Sequence, residues 1–548
     1  MSRPRLIAFE GVDGAGKSTA LKNAAEALRA AGVRVYLPRE GKEHVSRPTR
    51  MIRQLTRDPR NYTLSAQAEL LLYCAREAQV MNELVKSALI RGETVLTDRS
   101  FLTPVVLGMA RGLKQEECEA AARLASAGIE PDLTLVFDVH PRTSRLRKRL
   151  ERIRTHTLGE GGRKGLAGSA FKERVRESYA GIAETRRYPM FHVERATPKQ
   201  MAERVVRVVM QGPEAGTDDS PLDAEPRWLT APGVSFLEAL DALPLAEALF
   251  FGEGLIATRE LRKRALATEP ALTAFTLDAE DPLREACCEA QPEYALQGYV
   301  GRPLSGPDDL RVRYADRAPE ACIAALRGVR DPESDALRER YLEAHPDAVL
   351  MSLAWRDDER AWQLRERAYK AADDDDSRAG SLMGCESPRS QELRAQLFEK
   401  NPLIALGSLR GTRSELGDSW LGRMSEYAPK LVLSALAGRS DAFAYELRDA
   451  LFETGREVID TVRRLSDDRA FALRERGLPR WPSTVVHSLL GLPDSPRVRG
   501  LYERCEALAA RDLHMQRRLI LLNEQPLAPS WTKAASSGSM NVEVEADL

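Results

Sequence analysis

Nothing in this sequence marks it for oxidation, for thiolate metal binding or for a membrane. Its 548 residues hold seven cysteines, at 74, 118, 287, 288, 322, 385 and 505. None is in a Cys-x-x-Cys pair or beside a histidine set, which excludes a disulfide framework and a zinc site and implies reduced thiols in the cytoplasm. No apolar run is long enough to cross a bilayer. The chain goes almost directly into a strand, so no signal peptide is expected. Excess charge is missing as well. Lys and Arg number 81 against 82 Asp and Glu, a net charge of -1. Bulk electrostatic capture of nucleic acid or membrane is thereby excluded, though local basic patches are not.

What is present begins at residues 7 to 21, IAFEGVDGAGKSTAL. An apolar strand leads into Gly11-x-x-x-x-Gly16-Lys17-Ser18, and a helix-forming stretch follows. This is the spacing of a phosphate-binding P-loop. Gly11, Gly14 and Gly16 let the backbone curl its N–H groups inward, and the helix adds its positive end. Lys17 suits the β- and γ-phosphates and the Ser18 hydroxyl suits Mg2+. Asp13, Ala15 and Thr19 complete the nucleotide-binding set, Gly11 to Thr19.

The next 190 residues alternate helices with strands. Helices are expected over 19 to 31, 45 to 56 and 65 to 90. Strands are expected at 33 to 40, in ETVLTDRS, in PDLTLVFDVH (131 to 140) and in PMFHVERA (189 to 196). The alternation predicts βαβ units and a parallel sheet covered on both faces. Ligands of such sheets bind at the carboxyl ends of the strands, so the P-loop, Arg39, Asp98 and Arg99 should converge there.

Over residues 5 to 208 the chain resembles the thymidylate kinase family of nucleoside monophosphate kinases. The motifs are FEGVDGAGKST, PRE (38 to 40), LLLYCAREAQ, VLTDRS, PDLTLVFDV, FKERVRESY and RATPKQMAERV, in the family's order. The resemblance implies ATP and Mg2+ as cofactors and a nucleoside monophosphate as acceptor. It implies Lys17, Asp98, Arg99 and the lid cation Arg154 as catalytic residues, with Ser18 and Asp98 at the metal. It implies Asp13, Arg39, Tyr73, Arg76 and Arg99 at the acceptor, with Tyr73 stacking on the base. Other lid cations are Arg152, Arg163 and Lys164. Several positions depart from the family: Gly41 follows Arg39-Glu40, Ser100 replaces the tyrosine of DRY, and FLTPVVLG (101 to 108) lacks the usual Tyr-Gln pair. Glu77 stands where the base-contacting arginine is expected. These departures predict broader or shifted acceptor use.

Residues 211 to 233 are rich in Pro, Gly and Asp and read as a linker. Beyond it the strand alternation stops and a repeat begins. Apolar anchors at Phe250, Leu272, Tyr299, Leu326, Leu353, Leu382, Leu409, Leu436, Val462 and Leu490 each have an apolar partner eleven residues on. Successive anchors are 22, 27, 27, 27, 29, 27, 27, 26 and 28 apart, the mark of a solenoid. Five residues after most anchors stands a helix-capping type: Asp331, Asp358, Ser387, Ser414, Asp441, Asp467 or Ser495. Each unit is therefore a short helix pair, in an array similar to HEAT repeats.

The expected fold is α/β, a P-loop kinase domain with a parallel sheet, followed by an all-α solenoid. The expected domains are 1–210 (kinase), 211–233 (linker), 234–530 (repeats) and 531–548 (disordered tail). The repeats are read with equal weight as a stabilising or dimerising appendage and as a protein-binding surface. A homodimer through the kinase domain is also considered, and no membrane partner is expected. The acidic run AADDDDSR (371 to 378) argues against a nucleic-acid groove. The leading expectation is a nucleotide kinase acting on dTMP or a related nucleotide. The alternative is a regulatory ATPase whose repeats bind a protein.

Overall fold

The computed structural model describes residues 5–38, 47–139, 141, 144–145, 147–148, 166–193, 198–216, 258–274 and 276–509. Arg39, Arg152, Arg154, Arg163, Lys164, Phe250, most of the linker and the tail fall outside these residues. Two compact units are formed, Met1–Pro226 and Arg227–Leu548.

The first unit is built on β1 (Leu6–Gly11) and β4 (Leu133–Asp138), whose residues are all buried. Nearly unbroken apolar runs of this kind belong to strands covered on both faces. β2 (Val35–Tyr36), β3 (Thr94–Asp98) and β5 (Met190–His192) complete a parallel sheet in the order β2-β3-β1-β4-β5. On one face Ile7, Phe9, Leu135 and Phe137 pack against α1 (Lys17–Ala30) and the helix Pro198–Gln211. Phe9, Phe137 and Phe191 stack in sequence, with ring centroids 5.9 and 5.1 Å apart. On the other face Val136 meets Leu70, Val105, Val106, Tyr179 and Ile182. These come from α3 (Ala66–Val80), from Leu102–Ala110 and from Ser169–Arg186. α2 (Arg47–Arg57) precedes α3.

Two elements differ from expectation. β2 is two residues long rather than eight, because only Val35 and Tyr36 find partners, Thr94 and Val95, at the edge of the sheet. The helix of 65 to 90 is interrupted by a π-helical turn at Met81–Val85 before it resumes over Lys86–Ile90.

Every described element of the second unit is helical. The anchors Leu272, Leu326, Leu353, Leu382, Leu409, Leu436 and Val462 are at most 2 % exposed. Asp331, Asp358, Ser414, Asp441 and Asp467 each accept a hydrogen bond from the backbone N–H three residues on, as an N-cap should. Ser387 stands at its helix start but does not cap it; its hydroxyl donates to Asp357 Oδ1 at 2.7 Å.

What joins one repeat to the next is a buried arginine that the period alone did not reveal. It stands one residue after the second apolar position, at 284, 311, 338, 365, 394, 448 and 474, and none is more than 3 % exposed. Arg474 is typical. Its guanidinium donates to Val462 O (2.8 Å) in the preceding turn and to Ser488 Oγ (3.0 Å) in the following helix. Arg448 reaches Leu436 O (2.7 Å) and Thr461 Oγ1 (2.9 Å) in the same way. Burial pushes both guanidinium groups down to about 10. Each arginine thus satisfies carbonyls left open at a helix C-terminus.

Candidate active site

β1 ends in the glycine-rich turn and α1 begins at Lys17, so the turn lies at the carboxyl edge of the sheet beside the exit of β3. Gly11 has φ +123°, and a Cβ there would overlap the backbone of Phe137. Gly16 caps α1 with φ +77° and faces open space, where an anion can meet the first N–H groups of the helix. Ala15 is buried, while Asp13, Ser18 and Thr19 are exposed.

Lys17 is 6 % exposed and donates to Val12 O at 2.7 Å. Burial first, and Arg99 second, hold its ammonium down to about 8, against the pull of Asp13, Asp98 and Glu10. The Ser18 hydroxyl donates to Asp98 Oδ2 at 2.8 Å, which brings the two expected metal-binding residues together. A hydroxyl and a carboxylate are hard oxygen donors, the chemistry Mg2+ prefers.

Arg99 has φ +75°, a conformation rare outside glycine. Its backbone N–H donates to Phe9 O at 3.0 Å, and Nη1 donates to Gly11 O at 3.1 Å. Nη2 pairs with Asp13. Burial would lower the Arg99 pKa, but Asp13, Tyr179, Glu10 and Asp98 together hold it above the usual range. Asp13 also pairs with Lys148 at 3.0 Å, and Arg147 donates to Gly14 O at 3.0 Å. Lys148 and Arg147 are cations of the site that the sequence reading did not select.

It also missed the base of the site. Glu10 is fully buried. Its carboxylate accepts from Ser100 N (2.6 Å), Ser100 Oγ (3.0 Å), Thr103 Oγ1 (2.6 Å) and Tyr179 OH (3.0 Å). Burial raises its pKa, and Arg99 and these donors oppose the rise. Thr103 and Tyr179 also accept from Arg99, at 3.2 and 3.3 Å. The network sets the angle at which Arg99 leaves β3. Its signal was legible: a carboxylate inside the apolar run LIAFEG has to be paired.

The expected base-reading residues are placed differently. The ring of Tyr73 is 3 % exposed and packs with Leu107, Ala110 and Phe171, so in this structure it is a core ring. Arg76 is buried and donates to Glu77 Oε1 at 2.7 Å, with its guanidinium 5.3 Å from the centre of the Tyr73 ring. Arg57, at the end of α2, stands in the field of Asp13, Arg76, Tyr73 and Arg99. The seven cysteines are buried and free. Among the described residues there is no His, Cys, Asp and Glu cluster fit for a metal, and no helix is long and apolar enough to cross a membrane.

Residues 9–204 match the sequence model of a family described as thymidylate kinase. A thymidylate kinase of Nitratidesulfovibrio vulgaris is 38 % identical over 207 residues, 37 % of this chain and 95 % of that protein. One from Desulfosudis oleivorans is 37 % identical over 181 residues, 32 % of this chain and 83 % of the relative. One from Pseudomonas syringae pv. tomato is 40 % identical over 182 residues, 33 % and 81 %.

Proposed function

The chain belongs to the thymidylate kinase family, and from that premise we propose that its first unit transfers the γ-phosphate of ATP to thymidylate. The observation that carries this reading is the Ser18 to Asp98 hydrogen bond of 2.8 Å, which ties the phosphate-binding turn to the strand that presents Arg99. The regulatory ATPase is not favoured, since the relatives are kinases by name.

In this reading the backbone N–H groups from Gly14 to Ser18 and the Lys17 ammonium hold the triphosphate. Arg99, set by Glu10, Thr103 and Tyr179, grips the acceptor phosphate, with Arg39 and Arg57 as further cations. Asp13 fixes Arg99 from the open side. Mg2+, held by Ser18 and Asp98, would neutralise phosphate charge. No protein nucleophile is required, because an acceptor phosphate oxygen attacks the γ-phosphorus in line. The chain's task is to position two anions and offset their charge. Arg154 remains proposed as the lid cation, and Tyr73 and Arg76 as neighbours of the acceptor base. The domain limits 1–210, 211–233, 234–530 and 531–548 are likewise proposed, as are the cytoplasm as location, a homodimer through the first unit and a protein partner on the repeats.

A coupled assay of the full chain with ATP, Mg2+ and a panel of nucleoside monophosphates tests the proposal. Thymidine diphosphate should form in step with ADP. ATP hydrolysis that ignores every acceptor would overturn it.

A further inference from the structure

The repeats of the second unit meet along one edge in a row of left-handed turns. Gly301, Gly328, Trp355, Gly384, Gly411, Gly438 and Arg464 stand two residues after successive anchors and Gly491 one after its own, and all have φ between 65° and 81°. Neighbouring turns are joined directly by backbone hydrogen bonds: Gly328 N to Ser352 O (3.2 Å), Trp355 N to Met383 O (2.7 Å), Gly384 N to Arg410 O (3.0 Å). Glycine is the residue such a turn calls for. Trp355 and Arg464 adopt it against the preference of a bulky side chain, and strain of that kind points to a role beyond folding.

The tryptophan is 40 % exposed. Its ring lies over Gly384 and Gly411, where a Cβ would overlap it, so the next two turns form its bed. Cations gather beside it. Arg330 donates to Trp355 O at 3.0 Å. Arg410 directly precedes Gly411 and its carbonyl accepts from Gly384 N at 3.0 Å, and burial, then Arg410, push the Arg327 guanidinium down. Among the described residues, the Nε atoms of Arg327 and Arg463 are buried without a hydrogen-bond partner. Several exposed arginines elsewhere in the unit are neutralised, as in Arg340–Asp316, Arg360–Glu339 and Arg480–Glu453. Two of the four aspartates at 373 to 376 are engaged otherwise: Asp374 caps the helix Asp375–Gly380, and Asp375 pairs with Lys400 and Arg378.

We propose that this edge binds single-stranded nucleic acid, with a base stacked on Trp355, phosphates against Arg327 and Arg410, and the strand running on towards Arg463 and Arg464. An indole face takes a planar ring, and an uncompensated guanidinium takes phosphate. Every nucleotide of a strand carries both a planar ring and a phosphate, whereas a chain of carboxylates alone supplies no ring. A single nucleotide does not span cations set several turns apart.

The test is fluorescence anisotropy of the full chain with a labelled oligodeoxythymidylate of about 20 nucleotides, a length beyond the site of one stacking module. Trp355→Gly installs the residue that six other repeats carry, so its unfolding midpoint should not fall. Its affinity should drop roughly tenfold, the scale of one lost base stack, and Trp355→Phe should recover most of it. The double variant Arg327→Ala/Arg410→Ala should flatten the log–log salt dependence by about 1.4, two phosphate contacts' worth. The proposal fails if the oligonucleotide does not bind at low salt, or if binding survives both Trp355→Gly and the double arginine variant. It also fails if polyglutamate or thymidylate displaces the strand as well as unlabelled oligonucleotide does. Thymidylate kinase activity should be the same in all these variants.

Discussion

The Ser18 hydroxyl of the phosphate-binding turn donates to Asp98 Oδ2 at the exit of β3, 2.8 Å away and 80 residues along the chain. The register that pairs Phe9 with Asp98 across β1 and β3 makes this meeting possible. Asp98→Asn keeps the shape of the side chain and removes its charge. Its kcat/KM for thymidylate should fall about 10²- to 10³-fold, on the scale of one lost charge-stabilising contact. Higher Mg2+ should recover part of the loss. A Mg2+ titration of the initial rate measures both.

Burial, with Arg99 beside it, holds the Lys17 ammonium down to about 8 in the free protein. A bound triphosphate favours its charged form, so binding raises that pKa and takes up a proton. Affinity for ATP should therefore weaken as pH rises through 8 and beyond. Calorimetry at pH 8.5 in two buffers of different ionisation enthalpy would detect the proton. The free protein should behave in the opposite sense. Its unfolded chain holds the Lys17 proton up to 10.5, so this group makes folding more favourable as pH rises from 8 to 10.5.

Arg99 addresses a phosphate that every acceptor shares. Arg99→Ala should raise KM for all accepted monophosphates by a similar factor, at least tenfold, the worth of about one charge-assisted hydrogen bond. Arg99→Lys should not restore it, since an ammonium carries its donors on one atom, whereas the planar Arg99 fork addresses Gly11 O and Asp13 from separate nitrogens. Selective loss of one base alone would contradict the assignment.

The stapling arginines predict stability rather than catalysis. Arg474→Ala leaves Val462 O and Ser488 Oγ without their donor and opens space, which should cost about 3 kcal/mol in urea unfolding. Arg474→Leu should cost less, because Leu421 fills the corresponding place in another repeat and is 1 % exposed. Phosphoryl transfer by the first unit should be unchanged in both.

A fragment of residues 1 to 213 should fold and transfer phosphate, since it carries all five strands and both covering layers. Loss of cooperative unfolding in the fragment would show that the repeats are needed to complete it.

Local chemistry made much of this readable in advance. Gly11, Gly16, Lys17 and Ser18 are spaced for one turn, and that spacing is the same before and after folding. The 27-residue period and the aspartates that cap each second helix are equally local, which is why Asp331, Asp358 and Asp467 fall where the sequence placed them. Contacts between distant residues were not readable. Glu10 meets Ser100, Thr103 and Tyr179 only because the sheet order sets β1 beside β3 and under the helix Ser169–Arg186. Whether Tyr73 faces a base or the core depends on Leu107 and Phe171, more than 30 residues away. The arginine after each second apolar position was visible as a letter. Its role appeared only when stacking removed it from water and left helix-end carbonyls as its partners. The alternation and period of the chain thus determined the elements and their order, whereas burial, which depends on the neighbours that folding supplies, decided what each charged side chain does.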